Sequence, residues 1–306
     1  MSDALWSVVL AAGTGRRLAS VTGGVPKQFW APRDGRTLLE QTIDRMRALV
    51  PTSRLVTVVD ASQHQYAAAI DARTPLGRVV LQTGDRGTAT GILRGLIEIG
   101  SGPEDLVILT PSDHGIARPR LYHRGLREAT WEVQSGRSGI VLLAVEPTAA
   151  ATDLGWILPA AGRSGVSGRI GRVRKFVEKP APVLASTLFS QGAVWNTMVV
   201  VARVSALLDL YRARAPMLAE VFDEARLLAD DRRGLFLSAC YPQLPSVDFS
   251  RDILAPSTHL HVYLWPDAVG WTDLGTPDRL QGWLNRRGLT VRVSEAPADA
   301  AIAAHA

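Results

Sequence analysis

Short apolar runs and amphipathic stretches alternate along this chain. Residues 6–12, 55–60, 78–82, 106–110 and 140–145 have strand character. Helical periodicity fills the intervals at 37–50, 63–72, 88–99 and 119–134. Such alternation predicts right-handed βαβ units and a mainly parallel sheet. The second half is more mixed. Strands are predicted at 154–158 and 170–178, bracketing a Gly/Ser/Arg loop at 162–168, and again at 193–202 and 260–264. Helices are predicted at 204–214, 217–229 and 277–286. The expected fold is α/β: a doubly wound, mainly parallel sheet with a second lobe after about residue 150. Residues 1–293 are expected to form one domain of two halves, about 1–150 and 151–293. The Ala-rich segment 294–306 is expected to be a disordered tail.

Composition narrows the ligand. With 306 residues and 46% hydrophobic content the chain can bury a sizeable core. Its net charge of +5 is modest, and no basic run is interleaved with stacking aromatics. That pattern does not suit a nucleic acid and suits a small anion. Cys240 is the lone cysteine, so no intramolecular disulfide forms and a reducing, cytoplasmic setting is expected. No stretch approaches the ~18 apolar residues of a membrane span. Homo-oligomerisation is left open.

The first strand stops at Ala11-Ala12-Gly13-Thr14-Gly15, followed by Arg16 and Arg17 and then Pro26-Lys27. Glycines at the C-terminal end of a strand allow close backbone approach, so this loop suits a polyphosphate. The chain has 31 Arg and only 3 Lys. A lysine beside the loop therefore suggests a compact point charge. The plain alternative is a tight turn with solvated basic residues. Asp113 ends the fourth strand in Pro111-Ser112-Asp113-His114, where a carboxylate can hold a hard cation or cap a turn. Gln82, followed by Gly87 and Thr88, offers an amide that can read a base edge, or forms an ordinary strand–loop–helix junction. Glu178 and Lys179 need a local bend to converge, because neighbouring side chains on a strand face opposite ways. Trp195-Asn196-Thr197 suits a sugar face and its hydroxyls. Asp273, in Trp271-Thr272-Asp273-Leu274-Gly275, fits a cap or a metal equally well.

Taken in order, the glycine-rich loop, PKQF, PSDH, FVEKP, WNT and WTDLG resemble the sugar-1-phosphate nucleotidylyltransferases, most of all the mannose-1-phosphate guanylyltransferase branch. The likeness spans about residues 5–285 and implies a Rossmann-like fold with a nucleotide-binding half at about 1–150 and a sugar-phosphate-binding half at 151–293. It implies joining of a nucleoside triphosphate, GTP favoured, to a sugar 1-phosphate such as mannose 1-phosphate, with release of pyrophosphate. It implies that residues 11–16, Gln82, Gly87 and Thr88 meet the nucleotide, with Gln82 at the base. Arg17 and Lys27 would contact the triphosphate, and Asp113 and Asp273 would hold Mg2+. Lys179 would grip the sugar phosphate, with Gly155, Glu178 and Asn196 around the sugar. Arg17, Lys27, Asp113 and Lys179 form the expected catalytic set. Arg16 and Ser20 depart from the family pattern, as does Gln82-Thr83 where the guanylyltransferase branch has Glu-Pro. Two alternatives stand beside this reading: a methylerythritol-phosphate-type cytidylyltransferase, and a non-catalytic sensor of nucleotides or sugar phosphates.

Overall fold

The computed structural model describes residues 4–32, 35–99, 102, 104–162 and 168–289, with Arg16 described by its backbone alone. The expected tail at 294–306, and all but the ends of the 162–168 loop, lie outside the described residues. In chain order the strands are β1 (Leu5–Ala11), β2 (Leu55–Asp60), β3 (Arg78–Gln82), β4 (Leu106–Pro111), β5 (Gly115–Ile116), β6 (Ile140–Val145), β7 (Gly155–Pro159), β8 (Ile170–Glu178), β9 (Val194–Arg203), β10 (His261–Leu264) and β11 (Trp271–Thr272). Nine of them form one sheet in the order β3-β2-β1-β4-β9-β6-β10-β8-β7, while β5 and β11 make a separate antiparallel pair.

The expected parallel pairing runs from β3 through β2 and β1 to β4 and returns between β6 and β10. Antiparallel pairing enters with β7, β8 and β9. The β7–β8 connection is too short for a crossover helix, so that pair closes as a hairpin. Alternation along each strand builds two cores. Val8, Val56, Val58, Val107, Leu109, Val200 and Ala202 face one way, against the helices Gly87–Leu96, Val204–Arg214 and Pro216–Leu227. Val9, Leu55, Val59, Leu106, Ile108, Val199 and Val201 face the other, against Leu38–Arg47, His64–Asp71 and Pro119–Gln134. A period-2 pattern with both faces apolar is what a sheet covered on both sides requires. Helices with no counterpart in the predicted elements include Pro182–Ser190, Asp230–Cys240 and the π-helical turn Phe249–Leu254.

Register sets the functional edge. The pairs Ala11↔Val59, Asp60↔Gln82 and Leu10↔Pro111 align the C-terminal ends of β1, β2, β3 and β4. The pair Leu109↔Val200 carries the N-terminal part of β9 past the end of β4, so Asn196 emerges on the same edge. No helix among the described residues is long and apolar enough to cross a membrane.

Candidate active site

The loop after β1 is shaped from below by two amides. The Gln28 Nε2 lies 2.9 Å from Ala11 O, 2.8 Å from Gly13 O and 2.8 Å from Gln63 Oε1, and the Gln63 Nε2 donates to Gly13 O at 3.1 Å. The loop carbonyls are thereby held inward. The backbone N–H groups of Gly13, Thr14 and Gly15 meet no acceptor among the described residues, and Gly13 and Thr14 are exposed. N–H groups left without a protein acceptor on such a loop are the elements of an anion cradle.

Gly15 has φ +64°, and a Cβ there would stand 2.6 Å from the Lys27 backbone nitrogen. The loop can therefore lie directly on the 3-10 turn Lys27–Phe29, which starts after Pro26. Lys27 is buried, at 7% exposure. Its Nζ donates to Asp273 O at 2.6 Å and Leu274 O at 3.3 Å, and lies 2.9 Å from Asp113 Oδ2. One ammonium thus ties the end of β4 to the segment after β11. Burial alone would raise the Asp113 carboxyl, but Lys27 holds it below the usual carboxylate range. Burial pushes the neighbouring His114 down to about 4, so its ring is neutral. Trp271 Nε1, a donor only, gives its proton to His114 Nδ1 at 3.2 Å. The ring proton therefore sits on Nε2, 3.8 Å from Asp113 Oδ1.

The other wall comes from β7, β8 and β9. Lys179 takes the left-handed conformation, φ +45°, immediately after β8. That is the bend that the strand geometry demanded, and it brings Lys179 Nζ to 3.3 Å from Glu178 Oε1. Burial pushes the Glu178 carboxyl up, against the effect of Lys179. Gly155 pairs with Glu178 across β7 and β8, and a Cβ there would meet Glu178 Oε2 at 2.6 Å. Asn196 Oδ1 accepts from Met198 N at 3.2 Å, and Met198 also has positive φ, +58°. The buried Thr197 hydroxyl donates to Leu143 O at 2.6 Å, beside the register shift at Leu143/Ala144.

Two residues that the sequence did not single out act here: Asp153 lines the cleft, and Arg279, which does not line it, holds two of its carboxylates. Arg279 forks onto Asp153, Nη1 to Oδ2 and Nη2 to Oδ1, both at 2.8 Å. The same Nη1 reaches Asp273 Oδ1 at 3.2 Å and Oδ2 at 3.0 Å. Arg17 Nη1 stands 3.8 Å from Asp153 Oδ2. The Arg279 fork holds the Asp153 carboxyl below its ordinary range. The only sequence signal for either residue was an unmatched charge: Asp153 before an apolar strand, Arg279 in the first turn of an amphipathic helix.

The structure gathers Arg17, Lys27, Asp113, Gly155, Glu178, Lys179, Asn196 and Asp273 around one cleft of ≈170 Å³, with His114, Asp153 and Trp271. Ala11, Ala12, Gly13, Thr14 and Gly15 lie along the aligned strand ends beside it. The Arg16 side chain lies outside the described residues. Gln82, Gly87 and Thr88 do not line this cleft. Gln82 is buried at the end of β3, two strands from β1. Gly87 abuts Val247, and Thr88 Oγ1 accepts from Phe249 N at 2.8 Å.

No group of three or more His, Cys, Asp or Glu side chains that could hold a metal occurs among the described residues. Two of the carboxylates on the cleft, Asp113 and Asp273, still suit a hard cation. Mg2+ commonly takes one or two carboxylates and completes its shell with water and phosphate oxygens.

A protein-family model described as nucleotidyl transferase matches residues 6–284. The chain is 26% identical over 282 residues to the alginate biosynthesis protein AlgA of Pseudomonas fluorescens, covering 88% of this chain and 56% of that protein. It is 26% identical over 288 residues to the mannose-1-phosphate guanylyltransferase of Sinorhizobium fredii, covering 90% and 54%. The chain thus spans about half the length of these curated relatives. The crystal structure of the mannose-1-phosphate geranyltransferase of Thermus thermophilus superposes with a TM-score of 0.78 at 25% identity, covering 92% of this chain and 79% of that one. A UDP-glucose pyrophosphorylase structure shares the fold, with a TM-score of 0.59 at 14% identity. By the match along nearly its whole length, the chain belongs to the nucleotidyl transferase family.

Proposed function

We propose that this chain joins a sugar 1-phosphate to a nucleoside triphosphate and releases pyrophosphate. The observation that carries the reading is the convergence of Lys27 and Lys179, two of the chain's three lysines, on one cleft from separate parts of the sheet, together with Asp113 and Asp273. The reaction needs that charge. An oxygen of the sugar phosphate attacks the α-phosphorus, the α–β bridging bond breaks, and its electrons leave with pyrophosphate. The attacking phosphate is anionic at neutral pH, so neither a general base nor a covalent enzyme intermediate is required. The difficulty is two anions meeting, and the remedy is positioning and neutralisation.

Arg17 and Lys27 neutralise the departing pyrophosphate, and Lys179 holds the nucleophile. Glu178 and Asn196 orient the sugar, and the N–H groups at Gly13 to Gly15 take phosphate oxygens. Asp113 and Asp273 would hold Mg2+, which when bound supplies further charge neutralisation at phosphate oxygens. The relatives named for mannose 1-phosphate support that sugar, and those named guanylyltransferase support GTP. The single cysteine supports a cytoplasmic reaction.

The test is a matrix of nucleoside triphosphates against hexose 1-phosphates and a polyol phosphate, read as pyrophosphate released. The expected maximum in kcat/KM is GTP with mannose 1-phosphate. Turnover confined to CTP with a polyol phosphate would favour the cytidylyltransferase alternative. Ligand binding without pyrophosphate from any pair would favour a sensor.

A further inference from the structure

We infer that Arg279, anchored on Asp153, is an internal stand-in cation that occupies Asp273 and keeps free divalent metal off the cleft. The inference rests on the reading of Asp273 as a metal-binding carboxylate. Asp273 is almost buried, with its side chain 12% exposed. A carboxylate so placed needs a counter-charge whether or not a ligand is present. Lys27 does not supply it, because its ammonium takes the main-chain oxygen of Asp273 and the carboxylate of Asp113. Arg279 does supply it, through one nitrogen that faces both Asp273 oxygens.

The arrangement lets go easily. Both ends of the Arg279 fork rest on Asp153 at 2.8 Å, and only the shared Nη1 leans on Asp273 at 3.0–3.2 Å. Releasing Asp273 leaves the guanidinium still charge-paired. Asp153 is therefore a positioning residue: it gives Arg279 a place to remain when Asp273 takes another cation. A free cation must compete with Arg279 unaided, whereas one carried by a nucleotide brings the phosphate contacts with it. The predicted behaviour is weak binding of metal alone and strong binding of metal with nucleotide.

The probe is Mn2+ without nucleotide, followed by loss of the free-ion paramagnetic resonance signal, with thermal melts confirming that each variant is folded. Arg279→Gln should bind Mn2+ about tenfold more tightly than wild type or better. Asp153→Asn should bind it about threefold more weakly, because Arg279 then settles wholly on Asp273. Arg286→Gln removes the same charge from the far end of the same helix and should stay within about twofold. Should Arg279→Gln melt early, Arg279→Lys serves instead: it lacks the fork and should also gain affinity. If Asp273→Asn abolishes Mn2+ binding and neither Arg279 variant gains, or if Arg286→Gln gains as much as Arg279→Gln, the stand-in role is wrong and the metal reading survives. If Asp113→Asn and Asp273→Asn bind Mn2+ as wild type does, the metal reading itself fails and the inference falls with it.

Discussion

The two lysines of the cleft are held in opposite ways. Lys27 is buried, and its ammonium is fixed by a carboxylate and two main-chain oxygens. The side chain of Lys179 is 56% exposed and meets one carboxylate, Glu178. The loop beside Lys27 rests on backbone, whereas the strand beside Lys179 rests on side-chain ends. A preset cation suits a group that must receive charge at one fixed point. An adaptable one suits a group that must follow a substrate into place.

Substituting the lysines tests that contrast most severely. Lys27→Met and Lys179→Met should each lower turnover by on the order of 10²–10³, measured as pyrophosphate release. Their stabilities should part company. Lys27→Met leaves the Asp113 carboxylate unpaired and should cost about 3–5 kcal/mol in denaturant unfolding. Lys179→Met should change stability by less than about 0.5 kcal/mol. Equal losses of stability would erase the distinction.

The glycines give a milder version. Gly15→Ala sets a Cβ against backbone at positive φ, and should cost about 1–3 kcal/mol and lower kcat. Gly155→Ala meets the far end of Glu178, which can swing away. It should raise KM for the sugar phosphate about tenfold while the melting temperature hardly moves. A Gly155→Ala protein as unstable as Gly15→Ala would show that the wall beside Lys179 is as rigid as the loop.

The smallest effect lies under the Lys27 side. Thr37 and Glu40 form a capping box at the start of the Leu38–Arg47 helix, and Thr42 of that helix donates to Ser112 O beside Asp113. Burial would raise the Glu40 carboxyl, but Arg73 and Thr37 bring it from 4.5 to about 2. Its contribution is therefore complete above pH 4.5 and is lost as pH falls toward 2. Glu40→Gln should cost about 1–2 kcal/mol at neutral pH and flatten that part of the acid-unfolding profile. An unchanged acid limb would show that Glu40 gives the helix no charge-dependent support.

What the sequence made legible follows the same divide. Strands at 55–60 and 78–82 and helices at 119–134 and 277–286 stand where predicted, because continuous apolar runs, a proline at the helix start and strict periodicity are local signals. The Asp230–Cys240 helix was illegible: it buries only Leu237 and carries Gly234 within it. The insertion of β9 between β4 and β6 was illegible too, since pairing order is a long-range property. Of the cleft, the strand-end loop, both lysines, Asp113 and Asp273 were visible as motifs, and Asp153 was not. Gln28 acts on main-chain oxygens and Arg279 on a partner 126 residues away, so neither role is written locally.

The position of β9 bears on how the chain is made. β4 cannot acquire its second neighbour until roughly ninety residues after its own end have been synthesised, since Leu109 pairs with Val200. At about 5–20 residues per second, one long side of β4, and of β6 beyond it, stays open for several seconds on the ribosome. The last contacts of Lys27 wait longer still, for Asp273 and Leu274. Slowed translation through residues 112–193 should therefore increase aggregation of the nascent chain more than slowing after residue 203.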